Sequence, residues 1–435
     1  MPYAAPRRAL SLAVTVWLCV ALPVWGQNFP DVEQLPVQVE PPDPLKMFDG
    51  TPVATPAQWR NQRRPELKAL FEHYMYGYMP AAPDNLKAVI ERTDPGSLGG
   101  KAKLREIRLE FGPPGTPPIH LLLLTPNDRK GPAPVFVGPN FCGNHAVLND
   151  PQIALPTVWV PKHCKGCQDN RATAAGRGTE TDVWCVEYAI ERGYALATFY
   201  CGDLDPDEPD FSDGVHPHYF QAGQKTPGVH DWGAIAAWAW GISRVVDYLT
   251  NDKEIDARRI AAVGHSRLGK TVLLAAAFDE RIALVVPHQS GTGGCALSRK
   301  NDQETIERIN RVFPHWFNDE FAKFGGREER LPFDQHLLIA LVAPRPLLDT
   351  EGARDKWANF DNAWRSLQGA DVVYKFLGAK GLVDGGIVEG NEPIGGPKFS
   401  ELMQYRRDAV HVLNKGFWKV MFDFADKHFQ LAPAR

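Results

Sequence analysis

The stretch Ala262-Val263-Gly264-His265-Ser266-Arg267-Leu268-Gly269-Lys270 ends an apolar run on a small residue and places a serine two positions later. A helix-forming run, Val272 to Phe278, follows at once. Strand, sharp turn and helix in that order form a nucleophile elbow, which raises a serine hydroxyl above a parallel sheet. The usual G-x-S-x-G spacing breaks at its last position, where Leu268 stands and Gly269 comes one step later. A serine hydroxyl becomes a nucleophile only when a base takes its proton and a third group holds that base. In chains with this elbow the partners come later, acid before histidine. Asp349, Glu351 and Asp355 all follow the apolar strand Arg345 to Leu348, and Asp355 falls in the turn beyond the strand's end. His411 and His428 come late enough to serve as base. His428 belongs to an amphipathic terminal helix, whereas His411 precedes it in a loop, the better setting for a base. His265 adjoins the serine, should point away from it, and reads as structural.

Such residues need a sheet to hold them, and the flanking sequence supplies its strands. Leu86 to Arg92, Lys103 to Phe111, Ile119 to Leu124, Val135 to Gly138 and Tyr194 to Tyr200 precede the elbow's own strand, Arg259 to Val263. Ala283 to Pro287 and Arg345 to Leu348 follow it, and Val372 to Leu377 reads as the last strand. The almost wholly apolar Ile119 to Leu124 belongs in a sheet interior. Helical patterns lie between: from Pro56 on, with Trp59, Leu67, Leu70, Phe71 and Tyr74 on one face; Asp182 to Arg192; and Asp231 to Leu249, whose tryptophans read as core. The alternation implies a doubly wound, mostly parallel sheet in a three-layer sandwich. With the elbow, this is the α/β class and the α/β-hydrolase fold. Pro139 to His145 is then either the loop that supplies an oxyanion-hole amide or an ordinary surface loop. Residues 150–180 read as a surface insertion. Gly202-Asp203-Leu204-Asp205-Pro206-Asp207 alternates carboxylates but lacks the glycine and distal glutamate of a calcium loop, so it reads as a solvated acidic turn.

At 44% hydrophobic and 23% charged, the 435 residues have material for one large core. Arg7 and Arg8, the apolar run Ala9 to Val20 and the small Gly26 make residues 1–26 a cleaved secretory signal, too short for a bilayer span. The expectation is a secreted protein, periplasmic or extracellular, with no membrane partner after cleavage. Residues 27–48, rich in proline and acid, read as an extended arm, and 49–435 as a single catalytic domain. The formal charge of −4 drops by the two of Arg7 and Arg8 to −6, which argues against nucleic acid as a partner. Cys19 leaves with the signal; the six remaining cysteines permit disulfides whose pairing stays open. Cys164 and Cys167 could be half of a zinc site, but no second C-x-x-C follows, so a local disulfide or two free thiols is the reading, with no metal.

Taken together, these blocks resemble the glucuronoyl esterases of carbohydrate esterase family 15, the bacterial members above all. The elbow, with its missing third glycine, matches that family's. So do Ser290-Gly291-Thr292-Gly293-Gly294, Phe313-Pro314-His315-Trp316-Phe317, Ala343-Pro344-Arg345-Pro346-Leu347, the Gly202 to Asp207 turn and Asp423-Phe424-Ala425-Asp426-Lys427-His428. The resemblance implies Ser266 as nucleophile, His411 as general base and Arg267 as a cationic partner of the oxyanion. It also implies that Lys270, Glu304 and Trp357 contact the sugar. Many members carry a glutamate as triad acid where this chain has Gln289, a neutral amide that cannot stabilise an imidazolium. Some bacterial members use a later aspartate, which matches Asp355. Asp355→Ala is therefore expected to slow the chemistry sharply and Gln289→Ala to do little. His265 occupies the place of the family's cysteine beside the nucleophile, so that disulfide does not carry over.

The implied activity is serine-catalysed hydrolysis, through an acyl-enzyme, of (4-O-methyl-)glucuronic acid esters, as in lignin–carbohydrate linkages of glucuronoxylan. It requires no cofactor. A broader carboxylesterase or acetyl xylan esterase on the same scaffold, and a non-catalytic carbohydrate-binding chain, are the rival readings.

Overall fold

The computed structural model describes residues 29–383 and 386–431, together with Met1. The secretory signal read in residues 1–26 lies outside the described residues, Met1 apart. Among the described residues ten strands form one sheet: β1 Lys87–Ser97, β2 Ala102–Glu110, β3 Ile119–Pro126, β4 Ala133–Asn140, β5 Ala195–Tyr200, β6 Ile255–His265, β7 Leu284–His288, β8 Leu347–Gly352, β9 Ile387–Glu389 and β10 Leu402–Arg407. Their order is β1-β2-β3-β5-β4-β6-β7-β8-β10-β9. The pairs from β1 to β5 are antiparallel, and every pair from β5 to β9 is parallel. The chain runs outward in both directions from β4, with β5 on one side and β6 on the other. Such a reversal opens a crevice at the carboxyl ends of the strands, where α/β sheets bind ligands.

Five helices matter to the site: α1 Ala234–Leu249, α2 Arg267–Phe278, α3 Ile306–Val312, α4 Phe360–Phe376 and α5 Lys415–Phe429. Successive strand residues point to opposite faces, and the core divides accordingly. Val135 and Val137 of β4 join α1, α2 and α4 in one apolar cluster, while Phe136 joins α5 in the other. Helices thus cover both faces, giving three layers, and the central strands read as nearly unbroken apolar runs because neither face meets water. The tryptophans of α1, Trp238 and Trp240, are core residues.

The strand expected over Val372 to Leu377 is instead the last turn and a half of α4. The β-branched pair Val372-Val373 reads locally as strand, but Ala363, Leu367, Ala370, Val373 and Tyr374 are buried at helical spacing while Val372 faces solvent. The last strands are β9 and β10. The helix expected over Asp182 to Arg192 is broken at Cys185, whose backbone is left-handed, into Thr181–Trp184 and Val186–Glu191. The arm seats on the body: Val32 and Leu35 are buried, Gln38 N donates to Glu329 O, and Arg299 Nε donates to Gln38 O.

Candidate active site

Ser266 sits at the turn between β6 and α2 with φ 59° and ψ −127°, a backbone that non-glycine residues seldom adopt. Its N–H donates to His288 O at the end of β7, while its carbonyl accepts from Gly269 and Lys270, so both sides of the turn are fixed. The displaced motif glycine has a steric cause. A Cβ on Gly269 would lie 3.0 Å from both His288 O and Ser290 Cβ, and one on Gly264 would lie 2.1 Å from Leu268 O. Glycine at 269 therefore lets α2 pack closely on the strand ends, and Leu268 turns into the core. The first N–H groups of α2 have no intrahelical acceptor and face the serine's end of the helix.

His411 follows β10 in the loop before α5, and its Nδ1 lies 2.5 Å from Asp355 Oδ2. That bond fixes the tautomer with the proton on Nδ1, leaving Nε2 free to accept one. The His411 ring packs 4.4 Å from the His265 ring, which places it beside the residue preceding Ser266. His265 is thus a shelf for His411. Burial, and then the neighbouring His288, His411 and Arg267, push its pKa well below the usual value, so it is a neutral ring. Of the three acids open in the sequence, Asp355 meets the histidine from the turn after β8. Asp349 and Glu351 point from β8 into the core, where Asp349 Oδ2 accepts from Gln404 and burial raises both pKa values, that of Asp349 to about 6. The amide of Gln289 reaches the backbone on either side of His411: its Nε2 donates to Val410 O, and its Oε1 accepts from Val412 N.

Arg267, the residue after the nucleophile, has Nη1 2.9 Å from Asp207 Oδ2. Its guanidinium lies among the rings of Phe141, Phe313 and Trp316, 5.3, 5.6 and 5.1 Å from their centroids. Asp207 Oδ1 accepts from His315 Nε2 and Trp316 Nε1. Burial by itself raises the Asp207 pKa, but the His315 hydrogen bond and the Arg267 charge more than offset it and hold the carboxylate below the usual range. The expectation of a solvated acidic turn is corrected here. Asp203 and Asp205 are buried and Asp207 is half-buried with its carboxylate turned inward, each with a partner: His120 N, His216 and the Arg267–His315–Trp316 group. Locally the turn reads as polar surface because its partners come from distant segments. Arg267 Nε is a buried donor with no protein acceptor.

Lys270 lies one helical turn after Ser266, but its three ammonium hydrogens are taken by Ser290 O, Thr292 O and Glu304 Oε2, at 2.7, 2.6 and 2.9 Å. A sugar hydroxyl would reach it by displacing one of these acceptors. In these bonds Lys270 fastens the 290–292 turn and balances Glu304. Removing either partner of this buried pair leaves an uncompensated charge, a loss of about 3–5 kcal/mol. Glu304 Oε2 also accepts from Thr292 N, while its other oxygen takes part in neither bond. Trp357 is half-buried near Asp355, with the Arg308 guanidinium of α3 4.2 Å over one face of its ring.

The cysteine pairing differs from the local one expected. Cys142, in the loop after β4, is bonded to Cys164, and Cys167 is free. The bond ties that loop to the 150–180 insertion. His163 lies within 4.8 Å of both sulfurs, but sulfurs spent in a disulfide are not the thiolates that hold zinc. Among the described residues no helix is long and apolar enough to cross a membrane.

Comparison with known proteins places this geometry among relatives. A family model described as "Glucuronyl esterase, fungi" matches residues 186–378. A carbohydrate esterase from an unknown prokaryotic organism is 42% identical over 389 residues, 89% of each chain. The 4-O-methyl-glucuronoyl methylesterase 1 of Wolfiporia cocos is 28% identical over 78% of this chain and 72% of its own. Among solved structures, a promiscuous CE15 esterase from a marine bacterial metagenome superposes with a TM-score of 0.81 at 41% identity, covering 92% of this chain and 99% of that one. A glucuronoyl esterase from Solibacter usitatus superposes with a TM-score of 0.83 at 35% identity, covering 91% and 100%.

Proposed function

The chain belongs to carbohydrate esterase family 15, the glucuronoyl esterases, and is a carboxylic ester hydrolase; from that membership we propose that it cleaves esters of 4-O-methylglucuronic acid in glucuronoxylan through an acyl-enzyme on Ser266. The observation that carries the reading is the His411–Asp355 hydrogen bond, formed beside a strained elbow serine whose next residue is an arginine paired with Asp207. Ser266 Oγ attacks the ester carbonyl as His411 Nε2 takes its proton, and the negative charge grows on the carbonyl oxygen. The α2 N-terminus and Arg267 stand where that charge develops, already oriented by Asp207, so little reorganisation is needed at the moment of reaction. His411 then gives its proton to the departing alcohol, and water repeats the sequence to release the uronic acid. Trp357 supplies an aromatic wall for the sugar, and Lys270 and Glu304 meet its hydroxyls by exchanging one of the bonds they hold at rest. The chain is exported by its 1–26 leader, and residues 49–435 form the catalytic domain.

A broader ester scope is the second reading, favoured by the 41% identical relative described as promiscuous. Comparing kcat/KM for benzyl glucuronate, methyl galacturonate and an aryl acetate separates the two. The first reading expects the glucuronate ester to lead by at least about tenfold; equal values on all three would establish the second.

Asp207 gives a further expectation. Asp207→Asn keeps an acceptor for His315 and Trp316 but removes the charge that holds Arg267, so kcat should fall by roughly 10–10²-fold. Arg267→Met should cost about 10²–10³-fold, and adding Asp207→Asn to it should cost little more, since both act through one guanidinium. Additive losses would show that Asp207 acts elsewhere.

A further inference from the structure

Gln289 stands where the sequence led to an inert neutral replacement, yet its side chain is almost wholly buried and both of its polar ends are used. The Nε2 donates to Val410 O at 2.9 Å and the Oε1 accepts from Val412 N at 2.9 Å, so one amide closes on the backbone before and after His411. This is the pairing a neighbouring strand would give, supplied by a side chain. Gln289 is itself fixed, since its N–H donates to Thr350 O on β8. Next to it, His288 Nε2 lies 3.0 Å from Val412 O. Gly352 makes room for the arrangement: a Cβ there would come within 2.3 Å of Gln289 Nε2 and 2.6 Å of Ala409 O.

Packing holds the loop at its flanks, through buried Ala409 and Leu413, and sets the His411 ring on His265, but it does not cover the backbone between them. Val410 and His411 are exposed, and the one polar contact of the His411 ring is with Asp355. An ionised carboxylate at 289 could accept from Val412 N but would set its negative charge against the Val410 carbonyl. An apolar side chain could make neither bond. Only a group that donates at one end and accepts at the other fits both sides of His411.

We propose that Gln289 is a positioning residue for the hydrolysis, an amide clamp that fixes the His411 backbone so that its Nε2 is held toward Ser266. The proposal rests on His411 being the general base. It replaces the expectation that Gln289→Ala does little.

The test compares Gln289→Met, Gln289→Glu and His411→Ala in the full chain, with benzyl glucuronate as substrate. Gln289→Met keeps the volume and removes both bonds; kcat should fall by about 10²-fold with KM within about two-fold, as for a misplaced catalytic group. Gln289→Glu should approach wild-type kcat at acid pH, where the protonated carboxyl can still donate and accept, and fall away as pH rises through its own ionisation. Melting temperatures of all three, measured alongside, separate misplacement from unfolding. A Gln289→Met variant within about two-fold of wild type in kcat overturns the clamp. So does a Gln289→Glu variant that follows the wild type across the whole pH range, because an acceptor alone would then suffice. Retained activity in His411→Ala would overturn the underlying assignment of the base, and the clamp with it; that failure is recognised by which variant stays active.

Discussion

Ser266→Ala should lower kcat for benzyl glucuronate by roughly 10⁵–10⁶-fold while leaving the fold and substrate affinity intact. The side chain lost is small, and the helix it caps is held by backbone bonds: Ser266 N to His288 O, and Gly269 N to Ser266 O. The hydroxyl makes no capping bond to the helix. The chemistry depends on it entirely, because without an oxygen nucleophile His411 can only activate water in a site shaped around a serine. The residual rate would come from Arg267 and the α2 N-terminus acting on the bound ester. Kinetics and a serine-directed probe check this together: the wild type should label at Ser266 and show a burst of alcohol, and the variant should do neither. A variant keeping even a hundredth of the wild-type rate would exclude the acyl-enzyme.

Asp355→Asn should cost about 10⁴-fold in kcat, with KM little changed. The carboxylate accepts the Nδ1 proton of His411 at 2.5 Å and does two things there. It selects the tautomer whose Nε2 can accept the serine proton, and it stabilises the imidazolium that results. An amide can present its N–H₂ to Nδ1 instead, which moves the imidazole proton to Nε2 and blocks the base. Asp355→Ala should also be severely impaired, but it leaves the ring free to turn and so tests position and charge together. Neither Asp349 nor Glu351 can take over, since both face the core from the preceding strand. Measuring kcat for Asp355→Asn beside Glu351→Gln decides the point. A loss under about tenfold for the former, or equal losses for both, would move the acid elsewhere.

The candidate site was legible wherever chemistry is written in local order. The run into Ser266, the helix after it, and the sequence acid-then-histidine are one-dimensional facts. They led to Ser266, Asp355 and His411 before any distance was known, and the structure brings the last two into contact. Strand and helix alternation, likewise periodic, led to the doubly wound sheet. Periodicity failed at Val372, where two β-branched residues outweighed a helical pattern that only the packing of α4 completes.

What the sequence determined by itself was therefore the class of fold and the candidate nucleophile, because both rest on residue types at short spacing. The tertiary structure decided everything that depends on which distant groups meet. It turned the Asp207 carboxylate inward against Arg267 and two further donors, although three acids in a short turn look like surface until their partners are known. It spent Lys270 on two carbonyls and Glu304, paired Cys142 with Cys164 across the insertion, and separated Asp355 from the two inward-facing acids of β8. It also gave Gln289 two bonds around His411, which composition cannot reveal because an amide's value lies in what stands at each of its ends. Charges, thiols and amides act through partners, and partners are set by the fold.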